Sequence, residues 1–137
     1  MSSIGTGYDQ SPTTFSPDGR VFQVEYAAKA VDNSSTAIGI RCKDGVVMCV
    51  EKPKLSKMLV EGTNRRIMTV DKHSGICISG IIADARQIVN HGRREAINYM
   101  DVYGGTIPGT YLAQRISGMM HNYTLHWCAQ GMTPRCA

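Results

Sequence analysis

His121, His126, Cys128 and Cys136 are residue types that bind zinc. Their spacing fits neither paired CxxC ligands nor the i, i+4 pair of a metal-binding helix. They are expected to be scattered helix-surface and core residues, and no metal or other cofactor is expected. A second group is basic: Lys52, Lys54, Lys57, Arg65 and Arg66. Charges spread this thinly along a loop are expected to be solvated, so no nucleic-acid partner is expected. Cys42, Cys49 and Cys77 fall on strand positions and are expected to be small buried residues. Asn33-Ser34-Ser35 and Asn122-Tyr123-Thr124 carry the glycosylation pattern, which has meaning only in a secreted chain.

The sequence as a whole argues against secretion. Met1-Ser2-Ser3-Ile4-Gly5-Thr6-Gly7 has neither the basic start nor the apolar run of a signal peptide. Five cysteines without secretory context are expected to be reduced thiols. No stretch has the length of an apolar membrane span. The 137 residues carry 15 Lys and Arg against 11 Asp and Glu, a net charge of +4, far from a nucleic-acid-binding tail. A 42% share of hydrophobic residues excludes wholesale disorder. One soluble intracellular domain is expected.

The elements that must position these residues can be read from periodicity. Residues 1–15 show none and are expected to form an extended arm. Ser16-Pro17-Asp18-Gly19 is a turn signal, with Asp18 placed to cap a following helix. Val21, Val24, Ala28 and Val31 form one helical stripe over residues 20–31, and Glu25 and Lys29 are spaced to pair. Asn33-Ser34-Ser35 ends that helix. Residues 36–41 and 46–50 read as a hairpin around Lys43-Asp44-Gly45, and residues 67–70 and 75–79 as another around residues 71–74. A polar loop joins them. Ala85, Val89, Gly92, Ala96, Tyr99 and Tyr103 track one face of a helix over residues 82–103. Gly104-Gly105 stops it, and Pro108 starts another with Leu112, Ile116, Met119, Tyr123 and Trp127 as its buried stripe. The expected fold is therefore α/β, of the α+β kind, with the two hairpins in one sheet under two long helices. That arrangement reads as unfinished, and residues 131–137 read as a loop leading into a further strand.

Specific motifs carry a resemblance. Tyr8-Asp9, then Thr14-Phe15-Ser16-Pro17-Asp18-Gly19-Arg20 and Gln23-Val24-Glu25-Tyr26-Ala27, resemble the amino-terminal signature of proteasome alpha subunits. Ser79-Gly80-Ile81-Ile82-Ala83-Asp84-Ala85-Arg86 is similar to the family's passage from strand into first long helix. The resemblance implies the four-layer α/β/β/α sandwich of the amino-terminal-nucleophile hydrolases, of which this chain supplies about the first half. Residues 1–15 would be a gate arm, and residues 16–137 a partial alpha-type domain. Alone, such a chain is expected to be poorly stable, with open strand edges.

The same resemblance permits a test for catalysis. The family's catalytic subunits use a terminal Thr whose free amine activates its hydroxyl, and nucleophile and base must be within hydrogen-bond reach. Ser35 occupies that place here but is internal, so it has no free amine. Arg66 stands where those subunits have an activating Lys, and its guanidinium does not release a proton. No catalytic residue is expected. What the resemblance implies instead is an alpha-ring subunit of the 20S core that gates substrate entry for ubiquitin-dependent and ubiquitin-independent protein degradation. An active peptidase and a shortened product that does not assemble are the weaker alternatives. Tyr8, Asp9, Pro17 and Tyr26 match the cluster that holds the family's gate open between neighbours. Arg66 matches the residue that pairs the carboxylate of activator tails. The implied partners are neighbouring alpha subunits, beta-ring subunits and the carboxyl-terminal tails of a regulatory particle or other activators. The implied location is the cytoplasm and nucleus.

Overall fold

The computed structural model describes residues 7–54 and 56–126. Its elements in chain order are α1 (Phe22–Asp32), β1 (Ala37–Arg41), β2 (Val46–Val50), β3 (Ile67–Asp71), β4 (Ser74–Cys77), α2 (Ile82–Tyr103) and α3 (Gly109–His126). This mixed α/β order is the one that periodicity predicts. Both hairpins form. Ala37 pairs with Val50 and Arg41 with Val46 in the first, and Ile67 pairs with Cys77 in the second. The second turn is tighter than expected, because the strands reach Asp71 and Ser74 with a register irregularity after Thr69.

The hairpins do not share a sheet, which corrects the single-sheet expectation: each is a separate two-stranded antiparallel pair. β2 instead lies across β3 and β4. Alternation explains the stacking, since Ile76 joins the core beneath α2 and neighbouring Gly75 turns the other way. A Cβ on Gly75 would stand 3.2 Å from Met48 Cε, so glycine allows β2 to approach closely. The half-buried residues of β2 are Met48 and Val50; β1 is exposed throughout, with Ile38 at 51% and Ile40 at 55%. Cys42 and Cys49 are accordingly exposed, and Cys77 is only half-buried. The expectation of buried cysteines fails because no further layer covers that face among the described residues. Burial and the neighbouring Cys49 both push the Cys77 thiol upward, with burial the larger cause.

The core sits between the second hairpin and the long helices. Ile78, Ala85 and Val89 form one cluster with Met68, Val70 and Ile76 against it. Ala96, Ile107 and Leu112 form another with Val70, Tyr99 and Ile116. The predicted α2 face is therefore the buried one as far as Ala96. Beyond it, Tyr99 stacks on Tyr103 and Tyr111 at ring separations of 4.5 and 5.4 Å. Gly104, at φ 67°, ends α2 in the left-handed region and donates its N–H to Met100 O at 2.8 Å. In α3 only Leu112 is fully buried; Ile116, Met119 and Tyr123 are not, and Trp127 lies outside the described residues. The side chain of His126, with Cys128 and Cys136, lies outside them too.

Glu95 and Arg115 tie α2 to α3, with Arg115 Nε 2.7 Å and Nη2 3.3 Å from the two carboxylate oxygens. Hydrogen bonding from Arg115 is the largest influence on the Glu95 carboxyl and holds it below the ordinary carboxylate range. A lowered folded-state pKa contributes stability that is present above the unfolded value and lost as pH falls through the folded one. Acid titration of unfolding should therefore show a loss below about pH 4.3, the ordinary Glu value. The substitution Glu95→Gln should flatten that limb.

Candidate functional site

The amino-terminal region is organised by Ser16. This serine is 5% exposed. Its N–H donates to Arg20 O at 2.8 Å, its carbonyl accepts from Gly19 N at 2.9 Å, and its hydroxyl accepts from Arg20 N at 3.0 Å. Asp18 therefore does not cap α1, whose N-cap Val21 has no side-chain cap bond. The serine wins because its hydroxyl is aimed inward by the proline-fixed turn. The helix stripe is also corrected. Phe22 and Ala27 are the buried residues of α1, whereas Val24 is 37% exposed. α1 rests only lightly on the rest of the fold, so Val21, Ala28 and Val31 are half-buried and Val24 is left exposed. Glu25 pairs with Arg20 rather than Lys29, through Arg20 Nε at 2.7 Å and a second contact from Nη2. The guanidinium fork matches a carboxylate better than a single ammonium does.

The four residues of the expected gate cluster are placed as follows. Asp9 is half-buried, and its carbonyl accepts a hydrogen bond from Gln23 Nε2 of α1. Pro17 is exposed in the Ser16 turn. Tyr26 stacks on Phe22 at 6.3 Å and remains 47% exposed; Tyr8 is 39% exposed. Among the described residues no hydrogen bond joins these four side chains to one another. The arm is thus fixed at its root by Gln23, which periodicity gave no reason to select. Periodicity does not single out Ser16 as the closing residue of the turn either, although a serine just before a proline turn is a recognisable local-bonding signal.

Ser35 lies three residues beyond the end of α1, in continuous backbone leading to β1. The helix closes on Asn33, which donates to Lys29 O at 3.1 Å, and on Ser34 N, which donates to Val31 O at 3.0 Å. The Ser79 hydroxyl donates to the Ser35 carbonyl and lies 2.8 Å from the Ser34 hydroxyl. Arg66 is half-buried rather than solvated, and its Nη1 donates to Gly80 O at 3.1 Å. Its Nε is buried with no hydrogen-bond partner among the described residues. Gly80, at φ 101°, supplies the left-handed backbone that turns β4 toward α2. Beside Ser35 a hollow of about 640 Å³ runs between the end of α1, β4 and α3, with Ile78, Ala85, Leu112 and Ile116 among its walls. The Ser34 and Ser79 hydroxyls at its edge are engaged with backbone carbonyls and with each other. Among the described residues no hydrogen bond links the Ser35 hydroxyl to a basic side chain. Lys52, Lys54, Lys57 and Arg65 are exposed, as expected of a solvated loop.

An internal serine, an arginine bonded to Gly80 and an arm tied to α1 at its root are thus carried on a mixed α/β frame. Comparison with known proteins places the chain in a family. A family model described as "Proteasome subunit" matches residues 31–133, and the chain belongs to this family. A second model, for the N-terminal signature of A-type proteasome subunits, matches residues 8–30. The chain is 61% identical over 127 residues to the alpha type-3 proteasome subunit of Spinacia oleracea, covering 93% of this chain and 51% of that one. It is 63% identical over 124 residues to the alpha type-3 subunit of Acanthamoeba castellanii, covering 90% and 49%. It is 52% identical over 126 residues to the probable alpha type-7 subunit of Saccharomyces cerevisiae, covering 92% and 44%. The chain spans about half the length of the curated relatives it matches. Among the described residues no helix is long and apolar enough to cross a membrane.

Proposed function

We propose that this chain is a non-catalytic alpha-ring subunit of the 20S proteasome core, where it helps to close the ring and to gate substrate entry for ubiquitin-dependent and ubiquitin-independent degradation. The observation that carries the reading is Ser35. It sits within unbroken backbone, its carbonyl holds the Ser79 hydroxyl, and the nearby cation is an arginine committed to Gly80. A nucleophile of this class needs a base that can accept its proton. Arginine cannot be one.

Ring neighbours on either side, and a beta ring beneath, are the proposed partners. The exposed Val24 and Tyr26 side chains, which point to different sides of α1, support this, since neighbouring subunits would cover them. The gate cluster is proposed to comprise Tyr8, Asp9, Pro17 and Tyr26, with the Ser16 turn as its rigid base and residues 1–15 as the moving arm. Arg66 is the proposed contact for an activator's terminal carboxylate. Its bond to Gly80 leaves fewer free donors than a surface arginine would offer. The proposed location is the cytoplasm and nucleus.

The test is made on particles purified through a tag on this chain. Recovery of the chain in core-sized particles is expected, and its recovery only as free or aggregated protein would oppose the reading. In those particles Ser35→Ala should leave every peptidase activity unchanged; a fall with assembly intact would restore the peptidase reading. Deletion of residues 2–7 should raise basal peptide hydrolysis severalfold, and an unchanged rate would remove the gating role.

A further inference from the structure

Serine precedes proline at Ser11-Pro12 and again at Ser16-Pro17. The dipeptides are chemically alike and structurally opposite. Ser16 is 5% exposed, and its amide, carbonyl and hydroxyl are all engaged with Gly19 or Arg20. Ser11 is half-buried between exposed Gln10 and exposed Thr13. Among the described residues its hydroxyl meets Thr13 alone, at 2.8 Å from Thr13 Oγ1 and 3.3 Å from Thr13 N, and both contacts are solvent-exposed. A residue before proline is also held near extended geometry, the form in which a peptide lies in an enzyme cleft. Local opening of a few exposed hydrogen bonds frees Ser11, whereas Ser16 is freed only by dismantling the turn that starts α1.

We propose that Ser11 is a phosphorylation site for a proline-directed protein kinase and that the fold shields the equivalent Ser16. In the transfer, Ser11 Oγ attacks the γ-phosphorus of ATP. The Oγ–P bond forms as the P–O bond to ADP breaks, and the hydroxyl proton passes to the kinase's catalytic carboxylate. The product adds about −1.5 to −2 charge at neutral pH. That charge arrives two residues from Asp9, whose carbonyl holds Gln23 of α1. Thr13 N–H, already directed at Ser11 Oγ, is a donor ready for a phosphate oxygen. Phosphorylation thus places new charge at the root of the arm, and the inference stands whether or not the arm serves as a gate. A further Thr-Pro dipeptide, Thr133-Pro134, lies outside the described residues.

The test incubates the full chain, first shown to be folded by a cooperative urea transition, with a purified mitogen-activated-type kinase and ATP, and localises phosphate by fragmentation mass spectrometry. A synthetic peptide of residues 7–20 serves as the unfolded reference. In the peptide both serines should be labelled. In the folded chain Ser11 should exceed Ser16 by about tenfold or more, the ratio set by the unequal opening of the two sites. Ser11→Ala should leave within residues 1–20 only the minor Ser16 label, and Pro12→Ala should reduce labelling comparably. Equal labelling of Ser11 and Ser16 in the chain, or no label on Ser11 in the chain, overturns the proposal.

Discussion

Ile107→Ala should lower the stability of the chain by about 2–5 kcal/mol, the range for emptying a fully buried aliphatic site. Ile107 is 0% exposed although it belongs to the short connection between α2 and α3. Its side chain fills the space between Ala96, Leu112, Val70, Tyr99 and Ile116. Its carbonyl lies 2.7 Å from His73 Nε2, which ties the connection to the β3–β4 turn. The connection cannot collapse into the void without breaking that tie, so the cost should fall in the upper part of the range. A small domain holds only about 5–15 kcal/mol in total, so the variant should show a markedly lower urea midpoint with an unchanged slope. Val102→Ala on the 72% exposed side of α2 is the control, and should stay within about 0.5 kcal/mol of the parent. Equal midpoints for the two variants would show that Ile107 is not a packing keystone.

Gly92→Leu should be the second large loss, by overpacking rather than by a cavity. A Cβ at this position would stand 3.3 Å from Ile116 Cδ1, 3.5 Å from Val70 Cγ1 and 3.7 Å from Ile76 Cδ1. α3, β3 and β4 therefore converge on one point of α2. A leucine there must displace all three, at a cost of about 1–3 kcal/mol or more. Gly92→Ala separates the steric account from the conformational one. Its single methyl presses the end of one flexible side chain, while the helix gains about 1 kcal/mol from losing a glycine. The alanine variant should match the parent in thermal unfolding and the leucine variant should melt lower. Destabilisation of both by equal amounts would count against the steric explanation.

The sequence alone determined what depends on local periodicity and on motif. The span of α2 matches expectation at both ends, because a row of small and apolar residues at helical spacing leaves one way to bury it and Gly104 stops it. The hairpins followed from alternation and short turns. The internal position of Ser35 is a fact of the chain itself, and so is Arg66. Tertiary structure decided how those pieces meet. Only the tertiary structure showed that the hairpins form two sheets, and that among the described residues no layer covers Cys42 and Cys49. Only the fold showed that Arg20, not Lys29, holds Glu25, and that Ser16 closes the turn before α1 while Asp18 does not cap the helix. Periodicity reports which side of an element prefers burial. It carries no record of which distant surface arrives to cover that side, because that choice belongs to contacts between residues far apart in the chain.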